Sequence, residues 1–288
     1  MRTLTFLVIL AALGWSGYWF AGSTAKETAL SGWFDGQVER GWVAEYSDLT
    51  VTGFPNRFDT IIEDLALADP ATGWAWNTPR FNILALSYQP NKVITIFARE
   101  QVISTPGQKL TVVSDRLASS VHLEANTDLG LQEAILEMKG LGITSTAGWA
   151  SAITDGQLSI RRSLPGTAPD FGYDVALDAA DFRLPDPLKN ALDPAGLYPA
   201  TVTPIYLRMT PVYDAPWDRH AAEGATPALI ALNIQNLSVT WGTLQMQIRG
   251  ALDIDRLGRP EGELNLVARN WPDMLELAVA GGFISADL

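Results

Sequence analysis

Short apolar runs rich in β-branched and aromatic residues make up most of this chain, and Gly, Pro and Asn punctuate them. The clearest pair is residues 44–54 and 58–68, which flank Gly53-Phe54-Pro55-Asn56-Arg57-Phe58. Gly53 can take positive φ, Pro55 fixes its own φ and lacks a donor, and Asn56 is a turn former. Gly53, Pro55, Asn56 and Arg57 therefore predict a structural corner between two antiparallel strands. Residues 81–88, 93–97 and 110–113 repeat the grammar, cut by Pro79, Pro90-Asn91 and Pro106-Gly107. In residues 117–123, Leu117, Ser119, Val121 and Leu123 alternate against Ala118, Ser120 and His122, as in a half-buried strand. Residues 129–139 instead fit helical spacing through Leu131, Ile135 and Met138. A further strand pair is expected around Gly156, at 157–161 and 173–177.

Residues 181–227 are the least regular part, with eight prolines between Pro185 and Pro227. They predict a surface crossing, with a helical turn at 187–192 and an edge strand at 202–209. Order returns over 228–288. There Leu244, Met246 and Ile248 alternate with Gln245, Gln247 and Arg249, a one-sided strand. Together with Leu252 and Ile254 they are expected to share one face with Leu264 and Leu266. Residues 253–258 begin like a calcium loop, but Leu257 and Leu264 stand where oxygen ligands are needed. Residues 255–261 therefore read as a hairpin turn. Asn270 is placed to cap a helix over 274–279, which Gly281-Gly282 ends.

The N-terminus sets the compartment. Residues 3–23 carry no charge and, at about 1.5 Å per residue, are long enough to cross a bilayer core. Trp15, Tyr18 and Trp19 gather at the far end, where amphipathic rings prefer the headgroup level. A retained membrane anchor competes with a signal peptide cleaved near Ala21-Gly22-Ser23 and, more remotely, with a buried core helix. Bulky Tyr18, Trp19 and Phe20 beside the cut favour the anchor. Residues 25–41 follow as a linker helix, with Leu30, Trp33, Phe34 and Val38 spaced for one face, and β modules are expected over 43–180 and 228–288.

Composition narrows the function classes. A net charge of −12 and a pI near 4.6 argue against a nucleic-acid partner. Absent cysteine excludes disulfides, thiolate metal sites and cysteine nucleophiles. The sequence has no phosphate-binding glycine loop, no His-Glu-x-x-His, no His pair at ligand spacing and no nucleophile elbow. His122 falls on the polar side of its strand, His220 in a loop, and Asp59, Glu63 and Asp64 at solvated positions. No catalytic residue, metal ligand or cofactor is expected.

An N-terminal anchor, a Trp-containing ramp, the 53–58 corner and the module GALDIDRLGRPEGEL (residues 250–264) with a following helix together resemble the domain-of-unknown-function 2125 family of alphaproteobacteria. The likeness spans nearly the whole chain, and its motifs are structural corners. It implies further strands beyond Leu288. More loosely, the pattern is similar to AsmA-type envelope proteins, which implies a twisted sheet forming an apolar groove for lipid. The expectation is a mainly β protein: long curved antiparallel sheet, a few short helices and an N-terminal transmembrane helix. It would sit in the bacterial inner membrane with most of the chain in the periplasm. Leu244, Met246, Ile248, Leu252 and Ile254 are its candidate lipid-binding residues. A structural or protein-interaction scaffold of the envelope is the alternative, and a hydrolase using His122 or the scattered carboxylates the third.

Overall fold

The computed structural model describes residues 1–224, 226–282 and 284. The chain divides into two compact units, Met1–Thr111 and Val112–Leu288. The first contains α1 (Arg2–Glu39), β1 (Val43–Glu45), β2 (Asp48–Thr52), β3 (Asp59–Asp69), β4 (Trp74–Leu86), β5 (Gln89–Phe97) and β6 (Glu100–Thr105). β7 (Gln108–Val113) runs through the boundary. The second contains β8 (Arg116–Leu123), β9 (Leu131–Ser145), β10 (Ala150–Arg162), β11 (Tyr173–Ala180), β12 (Phe182–Arg183), α2 (Asp186–Leu192), β13 (Thr201–Val202) and β14 (Ile205–Tyr213). It continues through α3 (Arg219–Glu223), β15 (Leu229–Trp241), β16 (Leu244–Ile254), β17 (Pro260–Arg269) and α4 (Trp271–Ala280). The protein is mainly β and its pairing is antiparallel, as the punctuated apolar runs predict.

In the first unit, anchor and linker are one 38-residue helix, not two elements. Gly32 and Gly36 do not break it, because the helix is held by packing and not by propensity alone. Trp19, Ser23, Lys26, Leu30 and Phe34 form one stripe at helical spacing, and Trp19, Ser23 and Phe34 are buried. Phe34 and Leu30 close a core with Ala44, Leu49, Ile62 and Leu65. At the N-terminal end of that stripe, the helix grips the corner. Trp15 Nε1 donates to Pro55 O at 2.9 Å, Trp19 Nε1 to Arg57 O at 2.7 Å and Lys26 Nζ to Phe58 O at 3.0 Å. The Phe58 ring lies so close that a Cβ at Gly22 would stand 2.7 Å from its Cζ.

The corner itself joins β2 to β3, as expected. Gly53 has φ +101°, and a Cβ there would meet Arg57 Cβ at 2.8 Å and Arg57 O at 3.0 Å. Both the backbone and the space therefore require glycine. Asn56 and Arg57 N–H both donate to Gly53 O, and Arg57 pairs with Asp59 at 2.9 Å.

In the second unit the structure corrects three expectations. Residues 129–139 are not a helix: β9 pairs with β8 on one side and β10 on the other. Ala134, Leu136 and Met138 alternate with Glu133, Glu137 and Lys139, so two-sided pairing overrides the helical preference of these residues. The expected edge strand near 202–209 is an inner strand, since β14 pairs with both β11 and β15. Pro211 is tolerated because it lies beyond Met209, where the β11 register ends. The 255–261 turn is as read: Asp255 Oδ1 accepts from the Leu257 and Arg259 N–H groups. Asn270, however, does not cap α4 with its side chain, which donates to Thr243 O at 2.8 Å.

Glycine also explains the 250–264 pattern. Gly250 sits on β16 opposite Leu264 with φ +155°, and a Cβ there would fall 2.1 Å from Glu263 O.

One buried charge fastens the Pro-rich stretch. Asp193 is 1% exposed, and its carboxylate accepts from Lys189 Nζ at 2.7 Å and from the Leu197 and Tyr198 N–H groups. Burial opposes the charge, yet Lys189 and the two amides hold this carboxyl down at about 2. Because the folded value lies below the ordinary 3.8, the carboxylate stabilises the fold above about pH 4. That contribution is lost as pH falls towards about 2.

Two outcomes follow for the full chain in mild detergent. Gly53→Val should lower stability by about 1–3 kcal/mol through backbone strain; a melting temperature equal to wild type would show that the glycine is dispensable. Asp193→Asn should be less stable than wild type at neutral pH, and the gap should close on acidification between about pH 4 and pH 2. A gap that stays constant over that range would contradict the role given to this carboxylate.

Candidate functional site

The registers of the second unit line up a long apolar row. Leu136 of β9 faces Leu158 of β10, which faces Leu177 of β11. Leu177 faces Leu207 of β14, and Leu207 faces Leu237 of β15. Leu237 faces Ile248 of β16, and Ile248 faces Leu266 of β17. Seven aliphatic side chains from seven strands thus stand on one face. At about 4.8 Å per strand the row is about 29 Å long. Parallel rows flank it. One runs from Val121 through Ala134, Ile160, Val175 and Met209 to Ile234, and another from Met138 through Gly156, Ala179, Ile205 and Val239 to Met246.

A bulge keeps the face continuous. Ile234 and Leu237 are three residues apart, an odd spacing that would send them to opposite sides of a regular strand. The register shifts between them, so both point to the apolar side. The extra residue, Gln235, donates to Thr210 Oγ1 at 2.7 Å.

Packing covers this face at its ends. At one end α2 and α4 lie over it, and Leu184, Val202, Trp241 and Leu244 form a buried cluster that Leu192, Met274 and Leu277 join. Between α4 and the sheet an apolar cavity of about 360 Å³ is left, lined by residues that include Trp241, Leu244, Met246 and Leu277. At the other end Tyr173, Tyr213 and Trp217 meet edge to face, at 6.0 and 5.4 Å between centroids. Tyr173 is 2% exposed, its hydroxyl accepts the Trp217 N–H, and burial pushes its phenol above the ordinary value. Between these ends Leu136, Leu158, Leu177, Leu207, Leu237 and Ile248 are only half-buried, and Leu266 is 61% exposed.

The opposite face is polar. Arg161 pairs with Asp174 at 3.3 Å, Arg208 with Asp178 at 2.7 Å and Arg116 with Glu137 at 3.4 Å, and Lys139 pairs with Asp155. These exposed pairs contribute little stability each. They make that face a solvated one. His122 stands there opposite Glu133, and His220 lies 3.7 Å from Asp128 at the start of α3. Among the described residues, no group of three or more His, Asp or Glu could hold a metal ion.

The five candidate residues fall on the apolar face, in four settings. Leu244 is buried in the end cluster, Met246 lines the cavity beneath α4, and Ile248 belongs to the long row. Leu252 and Ile254 lie further along β16, opposite Gly262 and Pro260. Leu264 and Leu266 share their face, at 48% and 61% exposure. Sequence reasoning missed the larger part of the row, which β9, β10, β11 and β14 supply. The signal was present as alternation in each strand. Which strands adjoin was not.

No curated protein and no solved structure matches this chain. The family model for "Uncharacterized protein conserved in bacteria" matches residues 19–288, beginning at the tryptophan that docks on the 53–58 corner. The chain belongs to that family, DUF2125.

Proposed function

We propose that this protein is a non-enzymatic, membrane-anchored component of the bacterial envelope whose second unit holds acyl chains on its apolar face. The observation that carries the reading is the half-buried row from Leu136 to Leu266. A filled core would bury these side chains; within this unit, α2 and α4 cover only one end of the face. A row of about 29 Å compares with the ~30 Å hydrocarbon core of a bilayer, enough for two acyl chains end to end. Each methylene buried there gains about 0.8 kcal/mol. Ten or so of them would offset much of the freedom a bound lipid loses.

The anchor is α1. It is long and apolar enough to span a membrane. Its contacts support retention over cleavage: a cut near residue 22 would remove Trp19, which is 6% exposed, and uncover Phe58. Arg2 on the near side favours an inward N-terminus and export of the remainder to the periplasm.

Leu207→Glu places a charge in the middle of the row. On an open face the charge remains solvated, so circular dichroism should show a folded protein with wild-type melting behaviour. Displacement of a dansyl-labelled undecanoic acid should reveal affinity at least about tenfold weaker, the loss of roughly 1.4 kcal/mol. A variant that binds the probe as well as wild type contradicts the reading. One that unfolds contradicts it too, because an unpaired charge is that costly only in a closed core.

A further inference from the structure

The exposed aromatic patch around α1 belongs to two turns of the first unit as well as to the helix. The first turn is residues 53–57 and the second is residues 86–89, between β4 and β5. They are tied together: Ser87 N–H donates to Asn56 O at 2.8 Å, Phe58 N–H to Ala85 O at 2.8 Å, and Arg57 bridges to Leu86. The helix holds both. Tyr18 Oη donates to Ser87 O at 2.6 Å, beside the Trp15 and Trp19 bonds to Pro55 and Arg57. Phe54 stacks on Phe20 at 5.6 Å and meets Trp19 edge to face at 5.4 Å. Despite these contacts Phe54 is 51% exposed, Phe20 60%, Tyr88 59% and Leu86 37%.

The position along the helix fixes the depth of these turns. Lys26 is the first charged residue after Arg2. Trp19 lies about 10 Å below it along the axis and Trp15 about 16 Å, at ~1.5 Å per residue. From Thr3, Trp19 stands about 24 Å along a hydrocarbon core of about 30 Å. Any turn bonded to Trp15, Tyr18 and Trp19 is therefore at the outer margin of the hydrocarbon. Backbone carbonyls cannot be left bare at that depth. Here the carbonyls of Pro55, Arg57 and Ser87 each receive a side-chain donor from the helix. In a chain of net charge −12, residues 53–57 and 86–92 contain no carboxylate; Asp59 neutralises Arg57 from β3 at 2.9 Å, and Lys92 adds a positive charge.

We propose that these two turns form a membrane foot: with Trp15, Tyr18 and Trp19 they insert into the outer interface of the bilayer, so that α1 is a rigid strut and not a tether. The partner is a lipid surface with anionic headgroups, which the carboxylate-free, apolar tip suits. The foot rests on the reading of α1 as a membrane anchor. Phe54, Leu86 and Tyr88 are its inserted side chains, and Tyr18 and Trp19 position the turns that bear them.

The absence of cysteine permits a direct test. Full-length protein with Tyr88→Cys, Leu86→Cys, Leu10→Cys or Ala71→Cys, each labelled with nitrobenzoxadiazole, is reconstituted into vesicles of equimolar phosphatidylethanolamine and phosphatidylglycerol. Ala71 is in the turn at the other end of the 13-residue β4, about 40 Å from Tyr88. Lipids brominated near the headgroup should quench about half the emission at Tyr88 and Leu86, as for an interfacial group, and leave Ala71 unchanged. The Leu10 label should respond to lipids brominated deep in the chain. Tyr88 and Leu86 labels as open to aqueous iodide as the Ala71 label, with Leu10 still deep, would overturn the foot alone. A Leu10 label open to iodide would remove the anchor and the foot with it.

Discussion

An apolar sheet face must be covered, and in the second unit the described helices α2 and α4 cover only one end of it. Domains ordinarily satisfy this constraint by packing a second layer onto the sheet. Here the helices of the unit have seven, five and ten residues. α2 and α4 reach one end of the face, where they bury Leu244 and Trp241. The stretch from Leu136 to Ile248 remains half-buried, although each strand places its aliphatic side chains there consistently. The bulge at Gln235 shows how strongly that alignment is kept, since a regular strand would turn either Ile234 or Leu237 into the polar lattice of Arg208 and Asp178. Such a face is stable when something apolar from outside lies on it, and the proposed acyl chains meet that need.

The first unit solves a different problem, that of joining a long apolar helix to a sheet without a flexible hinge. Its solution is a stripe on α1 whose members change character along the axis. Phe34 and Leu30 pack as core residues, Lys26 bonds to a carbonyl, and Trp19, Tyr18 and Trp15 combine apolar bodies with N–H and O–H donors. Gly53 is needed because the corner turns back on Arg57 within van der Waals distance. The 53–58 corner is thus the socket for the chain's own helix.

Much of this was legible in the chain. Punctuated β-rich runs gave the antiparallel class, and Gly53, Pro55 and Asn56 gave the corner. Alternation at Leu244, Met246 and Ile248 gave one strand of the apolar face. Local signals failed where pairing decided the outcome. The Ala, Glu, Leu and Met of β9 favour helix, and only strands on both flanks make it extended. Residues 202–209 looked like an edge because prolines crowd the stretch around them, yet β14 pairs on both sides and Pro211 falls past the end of the β11 register. The row itself was out of reach, because it depends on which of ten strands adjoin, and that is a property of register rather than of any one segment.

Whether lipid occupies that face in the membrane is the decisive question. A photoreactive phenylalanine analogue placed singly at Leu177, Leu207 or Leu237, and at Arg208 on the opposite face, allows this to be read by mass spectrometry of the irradiated full-length protein. Covalent lipid adducts are expected at the three leucine positions and none at Arg208. Absence of adducts at all four positions, or equal adducts on both faces, would rule out a lipid-holding face.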